Sequence, residues 1–133
     1  MSHTSPPFVL RSGVDLVVID RIERSLARYG DAFVAKVFTR AEAAHCTRRP
    51  RPAPSYAARF AAKEAVMKVL GKGVFTIPFT AIEIGADADG RPTVTLHGKA
   101  KERADEIGLV SLDLSMSHDG GMAMAFAVGY MRG

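Results

Sequence analysis

The chain has 133 residues, of which 47% are hydrophobic and 24% charged, and these ordinary globular values exclude a disordered or fibrous protein. With one cysteine, Cys46, it cannot form an internal disulfide, and its last apolar run, residues 122–128, is too short to cross a membrane. We therefore expect one cytoplasmic domain over residues 8–133, preceded by a flexible tail at 1–7.

The chain begins with a β-branched run at residues 8–19, which is typical of a buried strand. Asp15 is the exception within this run. A carboxylate in an apolar strand is costly unless it is paired, hydrogen-bonded or bound to a cation. The simpler alternative is an aspartate at a strand bulge beside Gly13.

Three short helices are expected next, at residues 21–29, from Asp31, and from Thr39, which forms a capping box with Glu42. Three arginines of the first helix lie on one face, at spacings of three and four residues. Such a row is usually a solvated face, and the functional alternative is a docking strip for an acidic partner. Its members are Arg21, Arg24 and Arg28.

Residues 48–54 contain three prolines, which predict a mobile, basic and non-helical loop. Ser55 is then expected to cap the long helix that follows. This helix carries alanines at helical spacing, which predicts a buried face that lets another backbone approach closely.

A second face of this central helix aligns Glu64, Lys68 and Gly71. A solvated Glu–Lys pair is the ordinary interpretation of that spacing. However, Gly71 is expected to end the helix and to open a flexible loop with Lys72 and Gly73, which favours the close approach of a ligand.

The second half of the chain predicts a β-hairpin from residues 81–85 and 92–96, and an amphipathic helix at 99–107. Two strands follow at 111–117 and 122–128. Large apolar residues alternate with alanines in the last strand, so we expect it to be central in its sheet.

Positive charge is concentrated in the middle of the chain. Residues 40–72 carry eight basic and two acidic side chains, a net +6, whereas the rest of the chain has a net charge of −2. This distribution indicates an anionic ligand or partner at one place, although a basic nucleic-acid-binding module is an alternative. Against nucleic acid, aromatic residues are only 8% and tryptophan is absent.

Neither serine-hydrolase nor zinc chemistry fits the remaining polar residues. Ser117, His118 and Asp119 are adjacent in a predicted strand, so their side chains alternate between faces. His45 and Cys46 lack further ligands at zinc spacing. Asp15 and Glu64, surrounded by cations, instead suit Mg²⁺ on a phosphorylated small molecule, because Mg²⁺ is commonly held by one or two carboxylates and substrate phosphates.

Four ordered motifs, at residues 13–22, 38–42, 59–73 and 114–118, resemble the signatures of holo-acyl-carrier-protein synthase, the small bacterial type of 4′-phosphopantetheinyl transferase. The resemblance covers about residues 9–129 and departs from the family at Arg11, where glycine is frequent. It implies an α+β fold with an antiparallel sheet packed against a long central helix, in a homotrimer with sites between subunits.

The same resemblance implies transfer of phosphopantetheine from coenzyme A to a serine of an acidic acyl carrier protein, in fatty acid biosynthesis. Asp15 and Glu64 would hold Mg²⁺, Lys68 would stabilise phosphate charge, and Lys63 or Glu64 would help deprotonate the serine. His118 would contact the nucleotide, unless it is a structural histidine. The implied coenzyme A contacts are Arg59, Lys63, Lys68, Gly71 and His118, and the arginine row would dock the carrier. A related protein that binds coenzyme A without catalysis remains a further alternative.

Overall fold

The computed structural model describes residues 7–71 and 76–133, so most of the expected N-terminal tail, as well as Lys72 and Gly73, lie outside the described residues. The described part is an α+β structure, as predicted. Its elements are β1 (Phe8–Val18), α1 (Ile19–Tyr29), α2 (Asp31–Val37), α3 (Arg40–Thr47), α4 (Pro52–Leu70), a 3₁₀ turn (Phe79–Ala81), β2 (Ile82–Ala86), β3 (Pro92–Leu96), α5 (Gly98–Glu106), β4 (Leu109–Asp119) and β5 (Met122–Arg132).

The main sheet has three antiparallel strands in the order β1-β5-β4, and β2 and β3 form a separate hairpin. The central position predicted for the last strand is confirmed. The small side chains of β5 suit this position beneath helix α4, because Ala123, Ala125 and Ala127 are buried on the face that carries the helix. Asp15 of β1 lies opposite Ala125 in this register.

Helix α4 is the centre of the core, and its predicted alanine face is confirmed. Ala61, Ala62, Ala65 and Val69 are fully buried, and Ala58 is only 7% exposed. Small side chains leave room for the sheet to lie directly against the helix. The helix ends at Gly71, which has a φ of 75° and donates its N–H to the Met67 carbonyl, so the predicted C-cap is also confirmed.

The predicted start of α4 is wrong. The helix begins at Pro52 rather than after Ser55. Proline is tolerated in the first helical turn, because an N–H there has no helical acceptor in any case. Ser55 therefore lies inside the helix, where its hydroxyl accepts a hydrogen bond from Arg59 at 2.8 Å.

The face of the main sheet opposite α4 is apolar on β1 and β5 and polar on β4. Large apolar side chains of this face are about half exposed in the single chain, and they include Val14, Leu16, Val18, Met124 and Phe126 at 46–58%. Serines of β4 stand beside them, since Ser115 and Ser117 pair with Phe126 and Met124. No described helix is both long and apolar enough to span a membrane.

A buried ion pair joins α4 to α3 and to the hairpin. The Lys63 Nζ lies 2.7 Å from the Glu42 Oε1, and neither side chain is exposed. Lys63 also donates to the carbonyls of Phe79 and Ile82. Glu42 forms the predicted capping box with Thr39 and accepts the N–H of Ile84 at 2.8 Å. The pair thus satisfies groups from four segments of the chain.

We expect Lys63→Met to lower the free energy of unfolding by about 3–5 kcal/mol, because it leaves the Glu42 carboxylate buried without a cation. Adding Glu42→Gln should recover part of this loss, since the charge is removed while an acceptor for Ile84 is kept. Urea unfolding measures both. The exposed Lys101→Met serves as control, and an effect of Lys63→Met no larger than this control would contradict the prediction.

Candidate active site

The structure brings Asp15, Glu64 and Lys68 together where β1 packs against α4. The Lys68 Nζ lies 3.6 Å from the Asp15 Oδ1 and donates to the Val14 carbonyl at 2.6 Å. Glu64 stands one helical turn before Lys68. Lys68 remains 53% exposed and Asp15 22% exposed, so an incoming ligand can reach both.

The charges of this cluster act on one another. Burial raises the pKa of Glu64, and the neighbouring Asp15 carboxylate raises it further, whereas Lys68 and Arg21 lower it. Two carboxylates that repel each other at a partly buried position are a suitable donor set for a divalent cation. Among the described residues, no group of three or more His, Cys, Asp or Glu side chains is placed to hold a metal. A metal here would therefore take its other ligands from water and substrate, as Mg²⁺ does.

A second, basic pocket lies where the N-terminal part of α4 meets β4, and its volume is 420 Å³. Arg59, only 6% exposed, lines it, and the Arg59 Nε has no hydrogen-bond partner among the described residues. Exposed cations stand at the same pocket, namely Arg49 and Arg51, together with His118. A buried guanidinium N–H without an acceptor favours an anionic ligand in this pocket.

The predicted ligand-binding residues therefore fall into two groups on a single chain. Asp15, Glu64 and Lys68 lie on the β1 side of α4, whereas Arg59 and His118 line the pocket on the β4 side. Strands β1 and β4 are the two edges of the three-stranded sheet, about 10 Å apart. A ligand that contacts both groups within one chain would have to cross the sheet or the helix.

Gly71 and the arginine row lie on the same side as the carboxylates. Gly71 ends α4 beside the guanidinium groups of Arg11 and Arg103. The charge of Arg21 lowers the pKa of Glu64, and Arg21 also lines a groove of 580 Å³ on helix α1. Arg24 and Arg28 line the same groove, so the predicted row forms a continuous surface.

The surroundings of Lys63 disfavour the prediction that this residue binds ligand or deprotonates a serine. Its side chain is fully buried, and its three donors are used by Glu42 and by the carbonyls of Phe79 and Ile82. Burial lowers the pKa of Lys63, although the Glu42 carboxylate raises it. Three acceptors surround the ammonium group, so Lys63 has a structural role in the single chain, and its chemical role stays a prediction.

Three further residues have roles that their sequence patterns do not predict. Glu42 was predicted only as a helix cap, because nothing in the sequence shows that it is buried against Lys63. Arg49 and Arg51 were predicted only as cations of a loop, whereas they line the basic pocket. Proline is common in the first turn of a helix, so Pro52 was the signal that a helix begins directly after Arg51.

Paired carboxylates beside a lysine are an arrangement that suits a phosphorylated ligand. Residues 11–127 match the model of the 4′-phosphopantetheinyl transferase superfamily. A relative from Moorella thermoacetica, a holo-[acyl-carrier-protein] synthase, is 46% identical over 120 residues, which cover 90% of this chain and 93% of the relative.

Two solved structures show the same likeness. The holo-[acyl-carrier-protein] synthase of Neisseria meningitidis has a TM-score of 0.81 and 34% identity, over 89% of this chain and 95% of that chain. The Helicobacter pylori synthase, solved in complex with coenzyme A, has a TM-score of 0.79 and 33% identity, over 90% and 99%. This chain therefore belongs to the holo-[acyl-carrier-protein] synthase family of 4′-phosphopantetheinyl transferases.

We expect Glu64→Gln to raise the melting temperature near pH 7 when EDTA is present. Because the folded-state pKa of Glu64 is raised, its ionised form costs stability above that pKa, and the cost disappears as pH falls below about 4. Calorimetry at several pH values measures the difference, with Glu102→Gln on exposed α5 as control. A gain that does not change with pH would contradict the prediction.

Proposed function

We propose that this chain transfers the 4′-phosphopantetheine group of coenzyme A to a serine of an apo-acyl carrier protein, with Mg²⁺ as cofactor. The serine oxygen forms a new P–O bond, the bond between the two phosphates of coenzyme A breaks, and adenosine 3′,5′-bisphosphate leaves. The cluster of Asp15, Glu64 and Lys68 is the observation that carries this proposal. Family membership and the coenzyme A complex of the Helicobacter pylori relative support it.

Asp15 and Glu64 are the residues that would hold Mg²⁺. Their oxygens are the hard ligands that this ion prefers, and their mutual repulsion disfavours the pair without a cation. When bound, Mg²⁺ would neutralise and orient the pyrophosphate.

Lys68 supplies positive charge where negative charge grows during the transfer. Its ammonium group is fixed by the Val14 carbonyl and remains half exposed, so it can reach a phosphate oxygen. Phosphoryl transfer depends mainly on such positioning and charge stabilisation. Of the two residues predicted to deprotonate the serine, Glu64 is the one whose side chain is not fully buried, so a bound substrate can reach it.

The nucleotide end of coenzyme A fits the second pocket, where Arg59 and His118 offer donors to phosphate. Because that pocket and the carboxylates lie on different sides of α4, we propose that one copy supplies the carboxylates and another the pocket. The exposed apolar face of β1 and β5 supports assembly, since burying it removes large side chains such as Leu16 and Phe126 from water. The proposed assembly is a homotrimer.

The arginine row on α1 is the proposed docking surface for the acidic carrier protein. Arg21, Arg24 and Arg28 line one groove. Arg21 is also close enough to Glu64 for its charge to lower the pKa of that carboxyl group, so the groove lies near the carboxylates. A carrier bound there would bring its serine close to the proposed reaction centre.

We propose that the protein acts in the cytoplasm, in fatty acid biosynthesis.

Intact-protein mass spectrometry of an apo-acyl carrier protein tests the proposed function. After incubation with this chain, coenzyme A and Mg²⁺, the carrier should gain the mass of one phosphopantetheine, and EDTA should abolish the gain. The carrier with its acceptor serine replaced by alanine is the control. A carrier that stays unmodified, although it is modified by an authentic synthase under the same conditions, would contradict the proposal.

A further inference from the structure

Strand β1 and helix α4 make their closest approach at Gly13. A Cβ atom placed on Gly13 would lie 2.1 Å from the Ala65 carbonyl oxygen and 2.9 Å from the Lys68 Cβ. A backbone oxygen in the middle of a helix cannot turn aside, as the end of a flexible side chain can. Any side chain at this position would therefore force the strand and the helix apart by about 1 Å.

Space, and not backbone conformation, is what requires glycine here. Gly13 does not have a positive φ and pairs regularly with Ala127 of β5. An alanine would fit the extended backbone of this strand. The absence of a side chain matters only because α4 lies directly against it.

This contact lies between the groups that form the proposed site. Asp15 follows Gly13 by two residues, so its side chain stands on the same face of β1. On the helix, Glu64 and Lys68 stand on either side of Ala65. The Val14 carbonyl, between Gly13 and Asp15, holds the Lys68 ammonium group at 2.6 Å. A change in the spacing at Gly13 would therefore alter each of these distances.

We infer that Gly13 is a positioning residue for phosphopantetheine transfer: it allows the close β1–α4 contact that holds Asp15 beside Glu64 and the Val14 carbonyl beside Lys68. This inference rests on the proposed function. Gly13 itself offers no group to substrate or metal, and it acts only through the separation of the two backbones.

Gly129 provides a matched control within the same fold. It lies on β5 and also packs against α4, where a Cβ would stand 2.4 Å from the Val69 Cγ1. That neighbour is a side-chain atom, and the contact is made on a different strand from Asp15. Gly129→Ala therefore disturbs the packing of α4 on the sheet without separating β1 from the helix.

The experiment compares Gly13→Ala with Gly129→Ala in the full chain. Both are assayed in trimethylamine N-oxide, which favours the folded state, and circular dichroism confirms that they are folded. We expect Gly13→Ala to lower kcat by about 100-fold, the scale of a 1 Å misplacement, with little change in KM for coenzyme A. Gly129→Ala should stay within about threefold of the original chain.

Binding of Mn²⁺, followed by electron paramagnetic resonance, gives a readout that does not depend on turnover. Mn²⁺ accepts the same oxygen ligands as Mg²⁺. Gly13→Ala should weaken Mn²⁺ binding by about tenfold, because Asp15 moves away from Glu64. Asp15→Glu, which adds one methylene, should weaken binding in the original chain but restore part of it in the Gly13→Ala chain.

Equal losses of kcat in Gly13→Ala and Gly129→Ala would overturn the inference. It would also be overturned if Asp15→Glu changed Mn²⁺ binding in the same direction in the original and the Gly13→Ala chains. A Gly13→Ala chain that stays unfolded where Gly129→Ala folds would also overturn it, because the contact would then be a requirement of the fold alone. If the original chain bound Mn²⁺ at Asp15 and Glu64 but transferred nothing, the proposed function would fail while the Mn²⁺ comparison still tested Gly13.

Discussion

The fit of helix α4 against the sheet is the constraint on which the rest of the structure depends. A helix rich in large side chains would stand further from the strands, whereas the alanines of α4 and β5, together with Gly13, bring the backbones into direct contact. Because the contact is so close, short side chains suffice to bring charges together. Asp15 reaches Lys68 from the strand, and the Asp15 charge raises the pKa of Glu64. The Lys63–Glu42 pair fixes the same helix to α3 and the hairpin.

Helix α4 also separates the chemistry into two parts. The carboxylates and Lys68 stand on its β1 side, and Arg59 contributes to a basic pocket on its β4 side. The two parts together offer what the proposed reaction needs, namely a place for the pyrophosphate and one for the nucleotide. A single chain keeps them on opposite edges of the sheet, and the apolar outer face of β1 and β5 is a surface through which copies can join them. Assembly of several copies is therefore part of the proposed activity.

Much of this fold follows from local patterns, since the strands, the Thr39 capping box and the Gly71 helix end all depend on nearby residues. Long-range pairing does not follow from such patterns. Lys63 and Glu64 are adjacent in the sequence but lie in different environments. Lys63 faces the buried Glu42, whereas Glu64 faces the partly exposed Asp15. Residue chemistry and family resemblance both grouped Asp15 and Glu64 with nearby cations, and the structure brings them together with Lys68. Neither showed that His118 lies on the other side of α4. The helical start at Pro52 was missed because proline was weighed as a helix breaker and not as a first-turn residue.

Complementation between two impaired chains tests most directly whether copies of this protein share one site. Asp15→Ala and His118→Ala chains would each be assayed alone for carrier modification and then after unfolding and refolding together. In a homotrimer with sites between neighbours, about a quarter of the sites in the mixture would receive intact residues from both sides, so activity should rise well above that of either variant. A mixture no more active than the average of the two separate variants would contradict the shared site.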